Sequence, residues 1–256
     1  MNEEDVLSTY CVSSVLVQFL LPSQLIALSK TSKALGKEYS RYIKRETINN
    51  CEYVNGILHG KSKARHENGQ IKREDNYVDG KLHGKRKRWY KNGQIERECD
   101  YVDGKRHGKR KEWYGNGQVA SEYDFVNGKR HGKSKEWYRD GQLACEDDYV
   151  DGKLHGKSKE WHENGQLEQE DDFMNGKRHG KSKIWYSSGQ LEWEYDYANG
   201  ELHGKSKGWY ENGQLWSEDD YADGKQHGKG KAWYENGKLV WEYYFVNGEL
   251  QKEKEQ

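Results

Sequence analysis

The chain has 256 residues, 34% charged and 32% hydrophobic, with 43 basic side chains against 43 acidic ones and a mean hydropathy of -1.29. The neutral balance excludes the basic surplus of a nucleic-acid binder, and the low apolar content excludes one large globule around a continuous core. Aromatic residues, at 13%, argue against simple disorder because they recur at fixed phase, as packing between neighbouring units demands.

Residues 1–46 follow no repeat. From Asp5 to Leu21 the chain is apolar-rich, with Val6, Val12, Val15, Leu16, Phe19 and Leu20, and Pro22 breaks the run. Ser23 fits the N-cap of a second stretch that carries Leu25, Ile26, Leu28, Leu35, Tyr39, Tyr42 and Ile43 at helical spacing. Two or three helices are expected. The apolar run is too short to span a membrane, and Glu3-Glu4-Asp5 is opposite to the basic start of a secretory signal, so a soluble, cytoplasmic protein is expected. The stretch FLLPSQLIALSKTSKAL resembles the latter half of an F-box, although the early Leu-Pro that opens most F-boxes is missing. That resemblance implies a Skp1-like adaptor docked on Leu16, Phe19, Leu20, Pro22, Leu25 and Leu28, with the remaining chain as substrate receptor of a ubiquitin ligase. The alternative is a helical cap that shields the first strand edge from other chains.

Glycine then recurs at 56, 80, 104, 128, 152, 176, 200, 224 and 248, a period of 24 residues. Fixed periods of this size mark repeat architectures. With the periodic Gly as position 1, Asn-Gly or Asp-Gly occupies positions 24 and 1 (Asp79-Gly80, Asn127-Gly128) and again positions 13 and 14 (Asn68-Gly69, Asn92-Gly93), where only Ser188-Gly189 departs. Such dipeptides supply the two positive φ values of a type I′ hairpin turn. Between turns the chain is of strand length, so each unit is one β-hairpin. The expected fold is mainly β: an elongated single-layer antiparallel meander of about eight hairpins over 47–250, with a small helical module before it and a charged tail, 251–256, after it.

If both turns have two central residues, counting from them sets the register. Tyr90 then meets Ile95, Tyr138 meets Leu143, Lys135 meets Glu146 and Lys133 meets Asp148. Glu stands at position 19 in every unit, from Glu74 to Glu242, opposite lysines, so the charges are mutual partners that fix register more than they stabilise. Strand alternation groups the position 11 Tyr, the position 16 aliphatic and the position 22 aromatic on one face, and sends the position 10 Trp to the other. Gly at position 5 lies opposite the position 22 aromatic.

The unit DGKLHGKSKEWYENGQLxxED resembles the MORN repeat family, in the variant form of the YwqK-like group described as antitoxin components. The resemblance covers about 47–250; where the usual family has a Tyr-x-Gly-x-Trp arrangement, this chain has Glu, Asp and a single aromatic. It implies an extended twisted sheet that serves as a binding or scaffolding platform, with no chemistry of its own. An antitoxin-like role is one implied version, and the combination with an F-box-like head resembles proteins of large DNA viruses of amoebae, which implies a host cytoplasm.

No catalytic, metal or cofactor site is expected. Eight His at position 4, from His59 to His227, lie two strands apart, about 9.6 Å, too far to share a zinc ion held at about 2 Å. Cys51 and Cys99 hold equivalent positions two units apart, about 19 Å, too far for a disulfide, and four unpatterned cysteines fit a reducing compartment. Phosphoinositide contact would need unpaired basic clusters; Lys81, Lys85, Arg86, Lys87, Arg88 and Lys105, Arg106, Lys109, Arg110, Lys111 come closest, and lipid contact is disfavoured. Recognition is expected where units differ, at positions 17, 18 and 20. Early units hold Lys72, Arg73, Asp75, Glu96 and Arg97 there, and late ones Trp193, Tyr195, Trp216, Val240, Trp241 and Tyr243. Positions 18, 20 and 22 share a face, so Trp193, Tyr195, Tyr197, Trp241, Tyr243 and Phe245 form an aromatic surface expected to bind a protein partner or a second copy.

Overall fold

A computed structural model describes residues 21–28, 30, 44–48 and 50–255. Leu16, Phe19 and Leu20 lie outside the described residues. Among those described are one helix, α1 (Pro22–Leu28), and twenty strands, from Arg45–Ile48 to Glu249–Glu255. The chain divides into two compact units, one ending at Gly108 and the other beginning at Lys109. In each unit consecutive strands pair antiparallel through short turns, giving a single-layered meander on which, among the described residues, no second sheet packs. The first strand starts at Arg45, two residues inside the stretch assigned to the helical head, and residues 251–255 continue as strand rather than leaving the sheet.

The two turns of each repeat differ. At positions 24 and 1 both residues take positive φ, 49° to 54° for the Asp or Asn and 76° to 93° for the Gly, as a type I′ turn requires. At positions 13 and 14 only the Gly does, as in Gly93 at 86°, and Asn92 is absent from the left-handed region. There the Tyr90 N–H donates to the Gln94 carbonyl and the Gly93 N–H to the Tyr90 carbonyl, at 2.9 and 3.0 Å. This is a three-residue loop ending in a left-handed Gly, not the expected two-residue I′ turn. Asn92 favours it by accepting the Gln94 N–H on Oδ1 at 3.0 Å, an Asx-type turn.

That one extra loop residue corrects the register at the loop end. Trp137, not Tyr138, faces Leu143, and Glu136 faces Cys145, leaving Ala144 as a bulge. Away from the loop the expected pairs hold: Lys135 faces Glu146, Lys133 faces Asp148 and Gly132 faces Tyr149. A second irregularity sits after the I′ turn. Arg130 pairs with Phe125 and Ser134 with Tyr123, so the segment His131–Lys133 spans a single partner residue, helped by Gly132 at φ 82°.

Side chains displaced from the strands pin each repeat to the next. The Tyr114 hydroxyl donates to the Trp137 carbonyl at 2.6 Å, Tyr138 to Trp161 at 2.5 Å and Tyr186 to Trp209 at 2.8 Å, and His66 and His162 reach Trp89 and Trp185 in the same way. Asn164 adds a bond from Nδ2 to the Ser187 carbonyl at 2.7 Å. The position 11 ring therefore ties adjacent loops together instead of pairing with an aliphatic. In the first unit, α1 docks on a turn: Ser23 donates from N–H and hydroxyl to Asp79 at 3.1 and 2.5 Å. Burial alone would raise the Asp79 carboxyl, but these bonds and His59 outweigh it and hold it below the usual range.

Candidate interaction face

With the register settled, the two sheet faces have opposite characters. Positions 6, 8 and 19 share one face. In the second unit Glu146 accepts from Lys133 and Lys135 at 2.8 and 2.7 Å, and Glu170 from Lys157 and Lys159 at 2.7 and 2.8 Å. The first unit repeats the pattern, with Lys61 and Lys63 on Glu74. Hydrogen bonds from the lysines, above all, hold the Glu146 and Glu170 carboxyls below their ordinary value. The position 10 Trp lies on this lysine face too, as Lys111 over the Trp113 ring at 5.7 Å shows. The expected grouping of positions 11, 16 and 22 is thus replaced: position 16 pairs with Trp on the lysine face, and position 22 lies on the opposite one.

The opposite face is built on serine at position 7, which is buried in Ser62, Ser134, Ser158, Ser182 and Ser206. Around it stand positions 3, 9, 18, 20 and 22. Ser158 donates to Asp147 at 2.6 Å, Tyr123 to Glu136 at 2.7 Å and Arg178 to Asp171 at 3.0 Å, and the Arg130 guanidinium covers the Tyr123 ring at 4.2 Å. Many of the buried polar groups on this face are thereby partnered, although Ser134 Oγ and Asp171 Oδ1 are buried without a hydrogen-bond partner. Glu160 has its carboxyl pushed up by burial and then by Glu168, Asp147 and Asp171. Burial and Asp147 push the Cys145 thiol up to about 12. Among the described residues no group of His, Cys, Asp and Glu could hold a metal ion, Cys51, Cys99 and Cys145 are in no disulfide, and no helix is long and apolar enough to cross a membrane. The position 4 histidines sit beside turns: His179 and His227 accept the N–H of Asn199 and Asn247 at 3.4 Å.

All six residues of the expected aromatic surface lie half-buried on the serine face. Trp193 stacks on Tyr195 at 5.3 Å and 13°, and Tyr195 meets Tyr197 at 6.2 Å. Tyr243 and Phe245 make a separate edge-to-face pair at 5.5 Å. Asp219 joins that pair, accepting from Tyr243 at 2.9 Å and from Ser217 at 2.6 Å. Trp241 stands opposite Ala232 on one side and Glu255 on the other. One ring missing from the six belongs with them. Trp216 packs edge-to-face on Trp193 at 4.7 Å and 81°, because it occupies the position 17 bulge, where two successive residues face the same way. Strict alternation would have sent it to the lysine face. Two glycines were the available signal: a Cβ at Gly208 would lie 2.6 Å from Trp216 Nε1, and one at Gly230 would collide with the Tyr243 ring. Of the F-box-like residues, Pro22 is buried and Leu25 and Leu28 lie within α1.

Eight segments, 58–79, 82–103, 106–127, 130–151, 154–175, 178–199, 202–223 and 226–247, match the family model described as the MORN repeat variant, together well over half of the chain. The chain belongs to the MORN repeat variant family. Each MORN match runs from position 3 to position 24, so it contains the three-residue loop and ends on the first residue of the I′ turn. No curated protein matches the chain.

Proposed function

We propose that this MORN-variant protein is a non-enzymatic scaffold that binds a protein partner on the serine face of its second unit. The observation that carries the reading is the ring cluster Trp193, Tyr195, Tyr197 and Trp216: half-buried aromatics stacked on one another, with Trp193 at a position that holds Arg, Ser, Cys or Gln in the five preceding repeats. Tryptophan and tyrosine dominate the energetics of protein interfaces. Trp241, Tyr243 and Phe245 extend the same face toward Glu249–Glu255. The partner is a second protein or a second copy of the chain. The test compares the wild-type chain with a Trp193→Ser, Trp241→Ser double variant in sedimentation and in affinity purification from the native cell. The variant should keep its strand signal in circular dichroism and lose the association. A monomeric wild type with the same co-purifying proteins as the variant would refute the reading.

A second reading makes the chain a ubiquitin-ligase substrate receptor. It is supported by α1 beginning at Pro22, where the F-box-like pattern leads into a helix. The same purification addresses it, because a Skp1-like adaptor held by residues 1–46 would be retained by the double variant.

A further inference from the structure

We propose that the first unit holds a small phosphate monoester against Arg73 and Arg88. Positions 18 and 9 place three arginines in consecutive cross-strand register on the serine face: Arg73 faces Arg88, and Arg88 faces Arg97. Neighbouring strands lie about 4.8 Å apart, and like charges directly opposite one another destabilise a sheet. Deprotonation cannot relieve them, since a guanidinium stays charged throughout the accessible pH range. A bound anion would do so.

The chain supplies that anion only in part. Asp75 is fully buried and receives the Nε of Arg73 at 2.7 Å and of Arg86 at 2.9 Å, in ion pairs without hydrogen-bond alignment. This fixes Arg73 through Nε and leaves its terminal amino groups to bind elsewhere. Arg97 has contacts of its own and is not counted as a donor. Arg88, between the two, has no ion pair among the described residues. Arg73 and Arg88 open onto a cavity of about 320 Å³, lined also by Lys72, His66, Trp89 and Glu96. His66 is committed to the Trp89 carbonyl at 2.9 Å and keeps the wall in place.

Four positive charges, Lys72, Arg73, Arg86 and Arg88, therefore meet two carboxylates, Asp75 and Glu96. The surplus of two matches a phosphate monoester, which carries about -1.5 to -2 near neutral pH. Guanidinium forks bind phosphate oxygens in pairs, so geometry as well as charge favours that group. Ala64 lines the cavity beside them and offers an apolar contact to the organic part of the ester. No other repeat carries basic residues at positions 17 and 18 together, which confines the site to the first unit.

The test uses the full chain, with titration calorimetry and thermal unfolding in inorganic phosphate, in phenyl phosphate and in chloride at matched ionic strength. Both phosphates should bind saturably and raise the melting temperature, and Arg88→Gln should weaken that binding about tenfold or more, the loss expected for hydrogen bonds to a charged group. In chloride the same variant should melt higher than wild type, because the like-charge row is broken. Arg88→Lys, which keeps the charge without the fork, should bind more weakly than wild type and serves where Arg88→Gln does not fold. Equal shifts in chloride and phosphate, or unchanged phosphate binding in both variants, would overturn the proposal. Pelleting with vesicles of a phosphorylated lipid, without binding of either soluble phosphate, would overturn it in favour of a membrane ligand.

Discussion

Replacing Gly208 by Ala tests the ring cluster from beneath. Gly208 faces Ser217 across the strand pair and has no left-handed φ, so its backbone accepts any residue. On that ground alone the change should stabilise by about 0.4–1 kcal/mol, through the lost freedom of the unfolded chain. The added Cβ, however, would sit 2.6 and 2.7 Å from Trp216 Nε1 and Cε2 and 3.0 Å from Trp193 Cζ3. Both rings must move, and overpacking of this kind costs about 1–3 kcal/mol. Net destabilisation of about 1–2 kcal/mol, a fall of about 2–8 °C in the melting temperature of the second unit, is the expected outcome. The assay is thermal unfolding by far-ultraviolet circular dichroism, with the near-ultraviolet tryptophan couplet as a report on the Trp193–Trp216 pair. In a Trp216→Ser background the closer clash is gone and only the 3.0 Å contact with Trp193 is left, so the same Gly208→Ala change should cost less or turn stabilising. A stabilising effect in both backgrounds, with the couplet intact, would refute the placement of Trp216 on the serine face.

Two pH predictions follow from the opposite faces. Burial first, then Tyr197 and Tyr221, push the Tyr195 hydroxyl up to about 12, and burial with Asp219 raises Tyr243 further. An unfolded phenol titrates near about 10, so the folded value lies above the unfolded one; the stability it contributes is present below about pH 10 and lost as pH rises toward about 12. Phenolate absorbance and strand signal should change together in that window, and phenols titrating near their ordinary value in an intact sheet would contradict it. On the lysine face the sign reverses. Glu170 is held below its unfolded value, so its contribution is present above about pH 4.3 and lost as pH falls through the folded value. Lys157 is about half exposed, at 52%, which screens the pair. Glu170→Gln should therefore cost no more than about 0.5 kcal/mol at neutral pH and low salt, and nothing in strong acid, by chemical denaturation. A larger loss that persists in acid would mean the pair does more than align strands.

The sequence made legible whatever is decided locally and repeated. The period, the I′ turns at Asp79-Gly80 and its equivalents, the Lys133–Asp148 and Lys135–Glu146 pairs and Gly132 opposite Tyr149 all follow from turn chemistry and charge. The dipeptide alone could not distinguish the second turn, because Asn92-Gly93 reads the same as an I′ signal. What separates them is Gln94, whose N–H bonds the Asn92 side chain and whose carbonyl takes the Tyr90 N–H. One added loop residue moved Trp137 opposite Leu143 and made a bulge of the residue after it. That bulge is why positions 17 and 18 both serve the variable face, and strict alternation gives no sign that Trp216 and Lys72 join it. The arginine row was equally hidden. Arg73 and Arg88 are 15 residues apart in the chain and become neighbours only once the irregularity at Gly84 is counted.

The two faces depend on each other. Lys at positions 6 and 8 and Glu at 19 recur in every repeat, so a ligand on the lysine face would meet the same charges everywhere and could not tell one repeat from another. The serine face carries Arg73 and Arg88 in the first unit, and Glu136, Glu160, Trp193 and Trp216 in the second. Such variety is tolerated only if strand register does not depend on it, since a slip of one residue would carry every ring and guanidinium to the other face. The Lys–Glu ladders supply that register from behind. Weak as each pair is, two lysines converging on one glutamate have no equivalent partner in a slipped alignment, so their contribution lies in the energy gap to wrong pairings rather than in the depth of the right one. Loss of the ladder should therefore disorganise the ring cluster before it unfolds the sheet, even though the lysines and position 19 glutamates lie on the opposite face.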